Sequence, residues 1–166
     1  MKTTAFFTQI LSWLTGSRLT VDNSVVRDLD LDRFLGSWYE VARFDHFFER
    51  GMSQTKANYV LRDDGNIDVI NTGIKNGKPK TAKGKAKLTD IPSLLRVSFF
   101  GPFYSDYRVM LVDADYRYML IGSGSDGYLW IVSRTPQLAD SDRTAILSEA
   151  KSRGYDTDKL IWVKQS

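Results

Sequence analysis

Between residues 37 and 134 the chain breaks into eight short runs rich in β-branched and aromatic residues, each ended by a cluster of Gly, Asn, Asp or Pro. Runs this short and this closely spaced leave no room for crossover helices, so neighbours must pair antiparallel. The runs lie near 37–45, 55–62, 66–73, 80–89, 94–100, 106–113, 117–122 and 128–134. Asp63-Asp64-Gly65-Asn66, Asn76-Gly77-Lys78-Pro79 and Ser125-Asp126-Gly127 supply turns between them. Eight antiparallel strands is the number at which a barrel closes around room for one small ligand. The expected fold is therefore all-β, an eight-stranded antiparallel up-and-down barrel. After Pro136 the period changes: Asp140 or Ser141 can cap a helix that buries Ile146, Leu147 and Ala150, and Gly154 stops it. Leu160-Ile161-Trp162-Val163 then adds a final short strand.

The remaining composition excludes more than it suggests. With 166 residues and 42% apolar content the chain can pack one core, and 23 basic against 20 acidic residues is too balanced for a dedicated nucleic-acid binder. No apolar stretch approaches the roughly 18 residues of a membrane-spanning helix. The absence of cysteine removes disulfides, thiolate nucleophiles, thiolate metal sites and acylated cysteine anchors. His46 is the single histidine, so no multi-histidine metal centre is expected, and its segment Phe44-Asp45-His46-Phe47-Phe48 holds no nucleophile motif. Binding leads over catalysis, with no cofactor. Residues 1–28 form a distinct N-terminal segment before a domain at 29–166. Its first twenty residues carry Lys2 and Arg18 but no acid, with Phe6, Phe7, Ile10, Leu11 and Leu14 at helical spacing, compatible with a signal peptide or an amphipathic helix.

Alternation assigns inward faces. Lys83, Lys85 and Lys87 alternate with Ala82, Gly84, Ala86 and Leu88, which places the lysines in water. The same parity turns Ala57, Tyr59 and Leu61 inward, then Ile67, Val69 and Asn71, then Leu95, Val97 and Phe99, and then Tyr107, Val109 and Leu111. Trp130 and Val132 point inward on the eighth run, Ala42 and Phe44 on the first. Small residues at 42, 57, 82, 84 and 86 either leave a cavity or relieve crowding at bends. The candidate ligand-binding set is Ala42, Phe44, Ala57, Tyr59, Val69, Asn71, Val97, Phe99, Tyr107, Trp130 and Val132.

Gly36-Ser37-Trp38-Tyr39-Glu40 follows the short hydrophobic segment Leu31-Asp32-Arg33-Phe34-Leu35, Asp113 stands between the sixth and seventh runs, and Arg134 precedes Thr135-Pro136. These blocks, in this order, resemble the lipocalin family. Phe48-Glu49-Arg50-Gly51, the segment from Val97 to Phe103 and the segment from Tyr128 to Pro136 extend the likeness to its bacterial Blc group, close to temperature-induced plant lipocalins and apolipoprotein D. The resemblance runs from 29 to 166. It departs from the family at Val112-Asp113-Ala114, where the family has T-D-Y, and in lacking a lipobox cysteine, so no cysteine-borne lipid anchor is expected.

The resemblance implies a calyx in which Gly36, Trp38, Tyr39, Asp113 and Arg134 are structural. Trp38 would lie across the closed end with the Arg134 guanidinium on its face. Glu40, of the same parity, would join that base network or be a polar element of the pocket. The implied function is carriage of one fatty acid or lysophospholipid for membrane maintenance, by a monomer or homodimer, in the cell envelope with the cytoplasm as the alternative. Competing readings are a pigment or tetrapyrrole carrier stacking its ligand on Tyr59, Phe99 and Trp130, and an isomerase or de-epoxidase using Asp45, His46 and Glu49. Lys75, Lys78, Lys80, Lys83, Lys85 and Lys87 form either a solvated face or an attractor for anionic headgroups on a peripherally contacted membrane.

Overall fold

Each turn cluster delivers its hairpin. The computed structural model describes residues 19–166, so the signal-or-helix reading of the N-terminus falls outside the described residues. A single helical turn, α1 (Leu31–Phe34), leads into β1 (Gly36–Phe44), β2 (Met52–Leu61), β3 (Ile67–Lys75), β4 (Lys78–Leu88), β5 (Leu94–Phe100), β6 (Phe103–Val112), β7 (Tyr118–Gly122) and β8 (Leu129–Ser133). Helix α2 (Asp140–Ser152), a 3₁₀ turn (Thr157–Lys159) and β9 (Leu160–Trp162) complete the chain. Asn76 and Gly77 both take positive φ between β3 and β4, the primed turn geometry that matches strand twist.

Every consecutive pair from β1 to β8 is antiparallel, and β1 also pairs with β8, so the sheet closes on itself; β9 adds to the free part of β1. The hairpin loops after β1, β3, β5 and β7 form one end, the mouth. The loops after β2, β4 and β6, with α1, form the base. Direct pairing of β1 with β2 stops at Tyr39 and Lys56. Beyond it the C-terminal tail spans the seam: Val163 N–H donates to Val41 O, Gln54 N–H to Lys164 O, and the Gln165 amide donates to the carbonyls of Glu40 and Thr55.

Two bulges divide the apolar residues into two cores. β1 shifts register against β8 between Glu40 and Ala42, and β6 shifts against β7 between Val109 and Leu111. A bulge inserts one residue and reverses the parity of everything after it. Ala42, Phe44 and Leu111, which simple alternation turns inward, therefore face out and pack with Ile146 and Ala150 under α2. Arg43 turns in instead. The inner core holds Phe34, Trp38, Ile67, Leu95, Val109 and Met119 at the base. Helix α2 starts one residue earlier than the sequence suggests, with Ala139 at the N-cap and no side-chain cap; Asp140 and Asp142 instead place negative charge in its first turn. Two residues ahead of α1 touch the barrel: Val26 N–H donates to Val109 O, and Val21 packs in the outer core.

Candidate functional site

The base is closed by hydrogen bonds as much as by packing. Trp38 is fully buried and its indole Nε1 donates to Phe34 O at 2.7 Å. The Arg134 guanidinium lies 3.7 Å above the Trp38 ring and donates to the carbonyls of Ser37 and Leu35 at 2.8 and 2.9 Å. These carbonyls end α1 and start β1, where no ladder partner reaches them, and the planar fork of arginine satisfies several at once. Gly36 has φ +95° here, and a Cβ would stand 3.4 Å from Arg134 Nη1. Asp113 accepts from the Asp115 and Arg117 amides and from the Arg117 guanidinium, fixing the β6–β7 turn at the same end. Tyr39 faces outward beneath the Lys56 ammonium.

Above this floor lies a cavity of about 380 Å³, within the usual range for a small-ligand site. Its chemistry changes with height. Deepest are Tyr59, Tyr107, Val69, Val97, Ile121 and Val132 over Trp38. The Tyr59 and Tyr107 hydroxyls meet each other at 2.9 Å, and burial pushes both phenols well above their ordinary pKa. Ala57, Ala82, Phe99 and Trp130 make the middle wall, together with Asn71, Thr55 and Glu40. Nearest the mouth are Phe48, Glu49, Met52, Lys75 and Lys80.

The small residues have separate fates. Ala57 and Ala82 leave open volume in the wall, but Ala86 is buried in the base core and Ala42 lies outside the barrel. At Gly84 a Cβ would come within 2.8 Å of the Phe99 ring, so the missing side chain gives that ring its place rather than a ligand.

A buried charged cluster stands on one side of the cavity. Arg43, 1% exposed, donates from Nη1 to Glu40 Oε1 at 2.9 Å and from Nη2 to the carbonyls of Glu49 and Met52 at 2.8 and 3.2 Å. It thereby pins the β1–β2 loop over the cavity. Glu49 Oε1 accepts from the Trp130 indole at 3.2 Å and lies 3.0 Å from His46 Nε2, off the line of a good hydrogen bond. Asp45 stands 3.7 Å from Arg43 Nε. One guanidinium cannot neutralise two buried carboxylates. Burial and the neighbouring Glu49 raise the Glu40 carboxyl well above the ordinary range, whereas Glu49, despite its own burial, is held down to about 2 by His46, Glu40 and Arg43. The two neighbouring carboxyls are thus driven apart, Glu40 upward and Glu49 downward. His46 is itself packed among Phe48, Tyr128 and Trp130 rings.

The lipocalin-like domain family matches residues 29–165. The outer membrane lipoprotein Blc of Citrobacter freundii is 49% identical over 146 residues, covering 86% of this chain and 82% of that protein. Temperature-induced lipocalin-1 of Arabidopsis thaliana is 37% identical over 153 residues, with 86% and 82% covered. Among solved structures, insecticyanin from the tobacco hornworm superposes with a TM-score of 0.72 at 21% identity, covering 91% of this chain and 87% of that one.

This chain belongs to the lipocalin family.

In this lipocalin the structure brings nine of the eleven residues proposed from sequence to one cavity: Ala57, Tyr59, Val69, Asn71, Val97 and Phe99, with Tyr107, Trp130 and Val132. Ala42 and Phe44 are corrected to the outer core by the β1 bulge. Of the two places open to Glu40 the structure shows the pocket: it lines the cavity wall beside Arg43 and Glu49, while the base network is made by Trp38, Arg134 and backbone carbonyls. Sequence reasoning missed Thr55, Lys75 and Lys80 as lining residues, although Thr55 shares the parity of Ala57, and Lys75 that of Asn71. It also missed buried Arg43, for which only the bulge accounts. Among the described residues no His, Asp or Glu grouping is arranged to hold a metal ion.

Proposed function

We propose that this lipocalin carries one single-chain amphiphile, a fatty acid or lysophospholipid, with its tail toward Trp38 and its head at the mouth. The observation that carries this is the direction of the polarity gradient: aromatic and aliphatic at the floor, hydrogen-bonding in the middle, lysine-bearing at the rim. At about 0.8 kcal/mol per buried methylene, roughly 14 methylenes give on the order of 11 kcal/mol before association and chain ordering are subtracted. That leaves micromolar or tighter binding with no metal or covalent link. The names of its Blc relatives, which place them at an outer membrane, support a role in maintaining the bacterial envelope. The exposed lysines of β4 support peripheral contact with anionic headgroups during loading. Such contact should appear as binding to anionic vesicles that weakens with salt.

The test of carriage is titration with a lysophospholipid while tryptophan fluorescence is followed. Trp130, whose indole sits in the cavity wall, should report saturation, and Trp130→Phe should remove most of the change. An unchanged spectrum in wild type, with no competition against a fluorescent fatty acid, would move binding away from the barrel.

A further inference from the structure

Within the middle wall two buried polar atoms have no hydrogen-bonding partner in the protein: Thr55 Oγ1 and Asn71 Oδ1. Thr55 is 4% exposed. Both residues line the cavity, and both lie on the inward face of adjacent strands. Asn71 pairs directly with Ala57, and Thr55 stands two residues from Ala57 toward the mouth, in the register shift between Ser53 and Lys56 and against Gly73, which puts it one inward position beyond Asn71. Neither polar atom is taken up by the strand ladders or the C-terminal tail. Thr55's own carbonyl is already taken by Gln165, and the Asn71 backbone sits in regular ladders with β2 and β4. A buried amide oxygen or hydroxyl left unpaired destabilises the protein, so a pair of them aimed into a cavity marks a place for a ligand group.

The chemistry of the pair selects that group. Asn71 Oδ1 only accepts, so it needs a donor, whereas Thr55 Oγ1 both donates and accepts. A carboxylate, a phosphate or an ester carbonyl cannot donate to Asn71. A hydroxyl can: its proton goes to Asn71 Oδ1 while its lone pair accepts from the Thr55 hydroxyl. One step nearer the mouth on the same inward faces stand Lys75 and Lys80, the second of them paired across β3–β4 with Gly73. The order from floor to rim is therefore hydrocarbon, then hydroxyl, then anion.

We infer that Thr55 and Asn71 form a hydroxyl-recognition subsite, and that the cavity selects amphiphiles carrying a free hydroxyl between the acyl chain and an anionic head. This rests on the carrier reading above and adds to it a preference among single-chain lipids. Two probes test it, a 1-acyl glycerol phosphate with a free 2-hydroxyl and its 2-deoxy counterpart of the same chain and charge. Wild-type protein should bind the hydroxylated probe about tenfold more tightly, as expected when the alternative leaves buried acceptors unpaired. Asn71→Leu and the near-isosteric Thr55→Val should each reduce that ratio toward one, chiefly by weakening the hydroxylated probe. Equal affinities of wild type for the two probes overturn the subsite while leaving the carrier reading intact. Binding of neither probe overturns both. A tenfold ratio that survives in both variants, checked as folded by their thermal transitions, overturns the assignment to these residues.

Discussion

The two ends of the barrel spend the same kinds of side chain in opposite ways. At the base, an aromatic ring and an arginine meet at 3.7 Å, and the indole N–H and guanidinium fork are occupied by Phe34, Ser37 and Leu35 carbonyls. Toward the mouth, an arginine and aromatics are again buried together, but they stand beside two carboxylates, an unpaired hydroxyl and an unpaired amide oxygen. The floor is complete without a ligand, whereas the upper wall is not. Stability should therefore reside in the first constellation and selectivity in the second.

The sharpest way to break that contrast is at the floor. Trp38→Ala should destabilise the protein by about 3–5 kcal/mol in denaturant unfolding, the range for deleting a buried aromatic side chain. Arg134→Ala should follow at about 2–3 kcal/mol, because it removes the stacking cation and leaves several carbonyls short of a donor. Arg134→Lys should restore little of this, since an ammonium cannot reproduce the fork. If both variants unfolded like wild type but lost lipid, the floor would be part of the selective site and the division between the ends would fail.

Midway up, Ala57→Leu and Val69→Trp add volume to the walls and should weaken long acyl chains more than short ones in competition titrations. Their stability should change less than that of the floor variants. Equal losses at every chain length would show that the cavity depth is not used.

The smallest effect concerns the proton on Glu40. Its raised carboxyl binds a proton more tightly folded than unfolded, so that contribution to stability is full below about pH 4.5 and falls as pH rises through the elevated titration. Glu49 has the opposite sign: its contribution is present above about 4.5 and is lost as pH falls toward about 2. Glu40→Gln mimics the protonated form, so its unfolding free energy should decline less than wild type's between neutral and alkaline pH. Glu49→Gln should be destabilising at neutral pH, where Arg43 and the Trp130 indole lose their charged acceptor. Parallel pH profiles for Glu40→Gln and wild type would show that Glu40 is ionised throughout.

How far the sequence could be read differs between the same two ends. The turn clusters marked the hairpins, and parity placed Tyr59, Val69, Val97 and Tyr107 correctly because the register shifts of β2 and β5 lie on the mouth side of these positions and leave their pairing intact. Parity failed at Ala42, Phe44 and Leu111 because a one-residue bulge has no compositional mark in Val41-Ala42 or Met110-Leu111. Its consequence, an arginine turned into the barrel, was equally hidden. The upper wall was harder for a second reason: Glu49 and Phe48 reach the cavity from a loop, where neither period applies, and they are held there by Arg43.

The central claim, a tail seated on the floor with the head at the rim, is tested most directly by bromine quenching of the two cavity tryptophans. Trp38 lines the bottom of the cavity and Trp130 the middle wall, while Trp162 lies outside the barrel under Arg143. A lysophospholipid brominated near its chain end should quench Trp38 emission, measured in Trp130→Phe, and one brominated near the head should leave it unchanged while quenching Trp130 in wild type. Quenching of Trp38 by the head-proximal bromine alone would contradict the account, because it would place the head on the floor.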